Sequence, residues 1–157
     1  MAGHGNRMVH RRAIIYGRVG RSEMEPLMTF FDGLAKYQPQ ALAVLRIMTA
    51  LQFMEHGTQK LFNFPVGDHA GALSGLSLTA GILEFAGGIL LVLGLFTRPV
   101  AFLLSGEMAI AYFMAHMPQG FFPVNNGGDA AISFCFIFLY LVFAGPGAWA
   151  LDNRRSA

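Results

Sequence analysis

From residue 40 onward the chain alternates between long apolar blocks and short breaks rich in Gly, Pro and Asn. The blocks run over about 40–62, 73–96, 99–117 and 129–144. Each approaches or exceeds the ~17 residues that cross a ~30 Å hydrocarbon core, the fourth only just. The pattern therefore predicts an all-α, polytopic membrane four-helix bundle. Ahead of it, apolar residues at 27, 30, 31 and 34 repeat with helical spacing over Leu27–Tyr37. That spacing predicts a short N-terminal amphipathic helix lying in the membrane interface, ended by Gln38-Pro39.

Polar residues interrupt the blocks at particular places. The first block carries Arg46, Glu55, His56 and Lys60. On a helix Arg46, Thr49, His56 and Lys60 fall within roughly 80° of one another, with Glu55 about 100° from His56. Ionisable groups on a membrane helix are costly, so by default they face protein or a wet cavity. Arg46 and Lys60 have a second reading, in which they snorkel to the interfaces. Glu84 sits near the middle of the second block, with Gly81, Gly87, Gly88 and Gly94 within roughly 80° of it. A glycine face lets a neighbouring helix approach closely, which points Glu84 into the bundle, against the third or fourth helix. The third block has Glu107 near its middle and His116 at its end. Nine residues put those two on opposite sides of a straight helix. Asp129 opens the fourth block, where a carboxylate suits the helix dipole.

Depth sorts these groups. Arg46, Arg98 and Asp152 belong near one surface, as structural polar residues, and Glu84 and Glu107 near the middle. Glu55, His56, Lys60, His116, Asn125, Asn126 and Asp129 collect toward the other surface, as a polar pocket beneath the 118–128 loop. For a group bound in that pocket His56, Glu55 and the deeper Glu84 are the candidate proton-handling residues, and Lys60, His116, Asp129 and Asn125 the candidate binding residues. The third-helix Glu107 is read as structural, together with Arg46.

Composition changes the picture in two ways. The chain is 54% hydrophobic and only 13% charged, about half the charged share of a soluble domain. Six of its eleven Lys and Arg residues lie before residue 40, and Arg154 and Arg155 lie at the other end. Residues 1–26 read as a basic, disordered tail, 27–152 as the membrane domain and 153–157 as a short second tail. With Arg98 in the tight 97–98 connection and no Lys or Arg over 63–72 or 118–128, the positive-inside rule places both termini in the cytoplasm. No aromatic-interleaved basic module follows the tail, so nucleic acid is not an expected partner. Cys135 is the single cysteine and lies inside an apolar run, which excludes dithiol chemistry by this chain alone. No phosphate-cradling glycine motif, zinc spacing or nucleophile elbow occurs, and no metal site is expected. His56 and His116 on separate helices are too weak a signal to assign haem b.

Several runs carry a resemblance. They are Arg46 in LRIMTAL, His56-Gly57-Thr58-Gln59-Lys60-Leu61-Phe62, Glu84-Phe85-Ala86-Gly87-Gly88 and Gly94-Leu95-Phe96-Thr97-Arg98. They continue with His116 before Gly120-Phe121-Phe122, and Gly145-Pro146-Gly147 leading to Leu151-Asp152. In this order, over roughly residues 40–152, they resemble the DoxX family of small four-helix membrane proteins. Asp129 stands where the family often has Glu, and Ala150 where its closing motif usually has Ser. The resemblance implies a bacterial inner-membrane protein, either a quinone-linked oxidoreductase subunit or a redox-stress accessory protein. Quinone is the cofactor it suggests, and a soluble redox enzyme or a second copy of the chain the partner. The alternative is a non-catalytic scaffold or assembly factor for soluble redox enzymes, with the polar residues acting as interhelical glue.

Overall fold

The computed structural model describes residues 26, 28–66 and 75–155, so the predicted basic tail lies almost wholly outside the described residues. The chain divides into two units, Met1–Gln38 and Pro39–Ala157. In the first, residues 28–32 are helical and Gly33–Tyr37 forms a 3-10 turn. Met28, Phe30, Phe31, Leu34 and Tyr37 are all exposed on it, and Lys36 lies 5.0 Å from the Tyr37 ring.

Four long helices build the second unit. Helix α1 (Gln38–Phe62) starts with Pro39 in its first turn, where a missing N–H is harmless. It stops at Asn63, whose φ of 53° is a conformation that Asn tolerates better than most residues. Helix α2 (Gly75–Leu93) ends in a Schellman motif: Leu95 N–H donates to Leu90 O (2.9 Å) and Gly94 N–H to Leu91 O (3.1 Å). Gly94 takes φ 63°, and a Cβ there would lie 2.5 Å from the Ala150 Cβ. Helix α3 (Thr97–Ala111) passes directly into a π turn (Tyr112–His116) and a 3-10 turn (Met117–Gln119). The short α4 (Pro123–Asn126) precedes α5 (Asp129–Ala144), and α6 (Asp152–Arg155) closes the fold. No strand occurs among the described residues.

Close contacts set the helix order. A Cβ built on Gly57 of α1 would lie 2.6 Å from Phe85 N of α2, and one on Gly88 of α2 would lie 2.9 Å from Met54 Cβ. The two helices therefore run antiparallel with backbones nearly touching. Gly87 meets Leu104 of α3, and the Ser105 hydroxyl of α3 donates to Cys135 O of α5 (2.9 Å). Phe53 of α1 packs edge-on against Phe134 and Phe138 of α5, at 5.3 and 4.8 Å between centroids. These aromatic rings, with Ala50, Leu91, Ala101, Leu104 and Leu141, form the core of an up-down-up-down bundle. Two helical runs, Gly75–Leu93 and Thr97–Gln119, are long and apolar enough to cross a membrane. Helix α1, interrupted by Arg46, Glu55 and Lys60, does not meet that test, and α5 is a shorter apolar helix.

Two expectations need correction. Thr97 and Arg98 are not a connection but the first turn of α3. The reason is Asp152, whose carboxylate accepts from Phe96 N–H and Thr97 N–H (both 2.8 Å) and starts the helix two residues early. The glycine face of α2 meets α1 at Gly81 and Gly88, and α3 only at Gly87. Glu84 is thus directed chiefly at the first helix rather than at the third or fourth.

Candidate functional site

The polar side chains fall into groups with opposite hydrogen-bond economies. At the end holding the α2–α3 turn, Arg46 is fully buried and its donors are consumed by backbone. Its Nε donates to Pro146 O (2.8 Å), Nη1 to Leu91 O and to Val92 O (2.9 Å), and Nη2 to Ala148 O (3.2 Å). A guanidinium at the C-terminal carbonyls of α2 also complements that helix's dipole. Arg98 does the same for α5, its Nη1 donating to Val142 O and Phe143 O (2.8 Å). With Asp152 on the α3 start, three charged residues close three helix ends.

Halfway along the bundle the opposite holds. Lys60 Nζ of α1 forms an ion pair with Glu84 Oε1 of α2; the lysine side chain is 31% exposed and the glutamate 2%. Lys60 reaches this partner because Gly81 leaves room: a Cβ on Gly81 would lie 3.2 Å from Lys60 Cβ. Glu84 Oε2 is buried with no hydrogen-bond partner, and so are both carboxylate oxygens of Glu107 on α3. Glu107 lies near enough to Glu84 and Lys60 to interact with both charges, as His56 does with Glu84. Three helices thus bring one cation and two carboxylates together around three acceptor oxygens that no protein group satisfies. Buried polar groups are usually paired, so each orphan calls for an explanation. Such a centre can accept hydrogen bonds from a donor-bearing guest or hold and pass protons.

The remaining candidates are distributed differently from the pocket drawn from depth alone. His56 is exposed, its ring edge-on to Phe134 at 5.9 Å. Glu55 is exposed on a different face of α1 from Lys60. His116 is held in the connection after α3, with Nδ1 3.1 Å from Asn126 O and its ring stacked near Tyr112. The π turn at 112–116 alters the helical phase that a straight helix would give it. Asn125 and Asp129 are exposed, and no described side-chain bond ties either to Lys60. The buried asparagine is Asn126, whose Nδ2 donates to Gly120 O (2.7 Å) and whose Oδ1 accepts from Gly128 N–H (2.8 Å). Asn126 therefore shapes the loop. Glu107, read from sequence as structural, instead joins the Lys60–Glu84 pair; its depth, equal to that of Glu84, was the signal available. Among the described residues no group of three or more His, Cys, Asp or Glu has metal-binding geometry.

The DoxX family model matches residues 41–117, which include Arg46, His56, Lys60, Glu84, Arg98 and Glu107. An uncharacterized protein of Haemophilus influenzae is 49% identical over 129 residues, covering 78% of this chain and 96% of the relative. The inner membrane protein YphA of Escherichia coli is 31% identical over 147 residues, covering 83% of this chain and all of the relative. The uncharacterized membrane protein Rv3486 of Mycobacterium tuberculosis is 28% identical over 136 residues, covering 75% and 83% respectively. No solved structure matches the chain significantly.

Proposed function

The chain belongs to the DoxX family of membrane proteins, and from that premise we propose that it serves a membrane redox system as a quinone-linked subunit, with Lys60, Glu84 and Glu107 as its proton-handling centre. The observation that carries the reading is the set of three buried, unpartnered carboxylate oxygens beside Lys60. When bound, a quinone supplies two-electron chemistry that is coupled to two protons. The protein's part is to position an oxygen and move protons to it. Lys60 would hold a quinone carbonyl oxygen, and Glu84 and Glu107 would pass protons to that oxygen on reduction and take them back from the quinol hydroxyl on oxidation. His56, exposed beside Phe134 and coupled to Glu84, links this centre to the bundle surface.

The membrane placement that goes with this reading is the inner membrane, with four crossings and both termini in the cytoplasm. Its support is the Lys and Arg asymmetry between the two ends. Cysteines at Val66 and Val124 then label from outside intact cells, and one at Ser156 does not.

The functional test combines Lys60→Ala and His56→Ala with two readouts. One is quinone retained by gently solubilised protein, measured by mass spectrometry of its lipid extract. The other is survival under quinone or thiol-oxidant stress. The site reading expects membrane-inserted variants that lose bound quinone and protection together. Variants that insert, retain their ligand and protect normally would transfer the role to a scaffold for soluble redox enzymes.

A further inference from the structure

The short helical segment ahead of α1 sorts its side chains by polarity. Residues 28–32 wind at about 100° each and the Gly33–Tyr37 turn at about 120° each. Met28, Phe30, Phe31, Leu34 and Tyr37 then share an arc of roughly 160°. Thr29, Asp32, Gly33 and Lys36 share the opposite arc, roughly 100° wide. The five apolar side chains are 46–62% exposed, so the protein itself leaves this face uncovered.

Chain continuity limits what can cover it. The turn ends at Tyr37 and α1 begins at Gln38, with no residue between them. Gln38 and Gln40 are the last polar side chains before the apolar run 41–45, so α1 enters hydrocarbon only a few residues after the segment ends. This is the end of α1 where Ala148 N–H donates to Pro39 O, and where Arg46 and Arg98 close helix ends. The headgroup layer of one leaflet is only ~5–7 Å deep. Ten residues of helix pointing straight outward would reach ~15 Å and leave all five apolar side chains in water. In the plane of the interface, the same face meets acyl chains and the polar arc meets headgroups.

Charge selects the kind of lipid. Residues 1–26 carry Arg7, Arg11, Arg12, Arg18 and Arg21 against only Glu23 and Glu25. One short apolar face holds a membrane weakly, and a basic stretch beside it is the second signal that stable anchoring uses. We propose that Met28–Tyr37 lies flat in the leaflet at the Arg46–Arg98 end, held there by anionic phospholipid headgroups that bind the arginines preceding it. Each arginine near such a surface raises the ratio of docked to free segment about fivefold. The inference goes beyond the proposed function, since no proton step at Lys60, Glu84 and Glu107 involves this segment.

Fluorescence quenching on the full-length protein tests it, in a Cys135→Ala background because Cys135 is the only natural cysteine. A fluorophore is attached at Leu34→Cys on the apolar arc or at Lys36→Cys on the polar arc. Each protein is reconstituted into phosphatidylcholine vesicles with or without phosphatidylglycerol. With phosphatidylglycerol present, the neutral aqueous quencher acrylamide should reach the label at Lys36 and be kept from the one at Leu34. Arg11→Gln combined with Arg12→Gln should lower the docked-to-free ratio read at Leu34 about fivefold for each charge removed, and high salt should lower it by screening. Equal quenching of the two labels in phosphatidylglycerol vesicles overturns the proposal. So does shielding just as strong in phosphatidylcholine alone. Shielding that rises with the protein-to-lipid ratio overturns it too, by marking a second copy of the chain as the cover.

Discussion

The two ends of one electrostatic story in this bundle are Arg46 and Glu107. Both are charged side chains inside an apolar helical body, and both interact with an opposite charge, Asp152 for the first and Lys60 for the second. Arg46 nonetheless has four backbone carbonyls around it, while the Glu107 carboxylate has no donor at all. The difference separates polar groups that hold helices together from polar groups that the fold merely accommodates. Arg46, Arg98 and Asp152 replace water at helix termini, where backbone groups have no intrahelical partner. Glu107 and the free oxygen of Glu84 accept from no donor in the protein, and the proposed function accounts for them by what they would bind or transfer.

Breaking the closed end should have the largest effect. Arg46→Ala strips donors from Leu91, Val92, Pro146 and Ala148 at once. Removing one partner of a buried charged network costs about 3–5 kcal/mol, so the variant should melt far below the parent in detergent or fail to accumulate. Arg46→Lys should rescue little, because one ammonium cannot span carbonyls on two segments. The next effect tests the close approach that turns Glu84 inward. In Gly88→Leu the new side chain begins 2.9 Å from Met54 Cβ and 3.2 Å from Ala50 O. Overpacking of this kind costs about 1–3 kcal/mol, and thermal unfolding should show it; an unchanged melting temperature would mean that α1 and α2 do not touch there. Smaller again is Asp152→Ala, which removes both acceptors from the start of α3. Loss of a helix cap costs about 1 kcal/mol, and hydrogen exchange should rise at Phe96 and Thr97 before it rises elsewhere.

The contrast also explains what was legible in the sequence. The four helices and their approximate limits followed from apolar blocks and from Gly and Pro punctuation, since those signals are local. The inward direction of Glu84 was legible for the same reason, because Gly81, Gly87 and Gly88 mark its face. The partner on that face was not, because whether Lys60 snorkels or pairs depends on the helix opposite, and no periodicity records it. Glu107 was read as structural because a lone mid-helix acid looks alike whether or not donors surround it. The early start of α3 was hidden because its cap, Asp152, lies 55 residues away in the chain. Which of Asn125 and Asn126 is buried was not legible either: the left-handed Gly127 closes a tight turn that buries Asn126 and exposes Asn125.

The central claim is that the bundle carries Glu107 for a purpose other than holding itself together. The direct measurement is the melting temperature of Glu107→Leu beside that of the parent protein, in the same detergent. A leucine of similar volume removes two buried acceptors without creating an unpaired group, because no protein donor was paired to them. The account predicts a melting temperature equal to or above the parent's, alongside loss of bound quinone. A fall comparable to that of Arg46→Ala would contradict it, by showing that the Glu107 carboxylate is as structural as the arginine at the closed end.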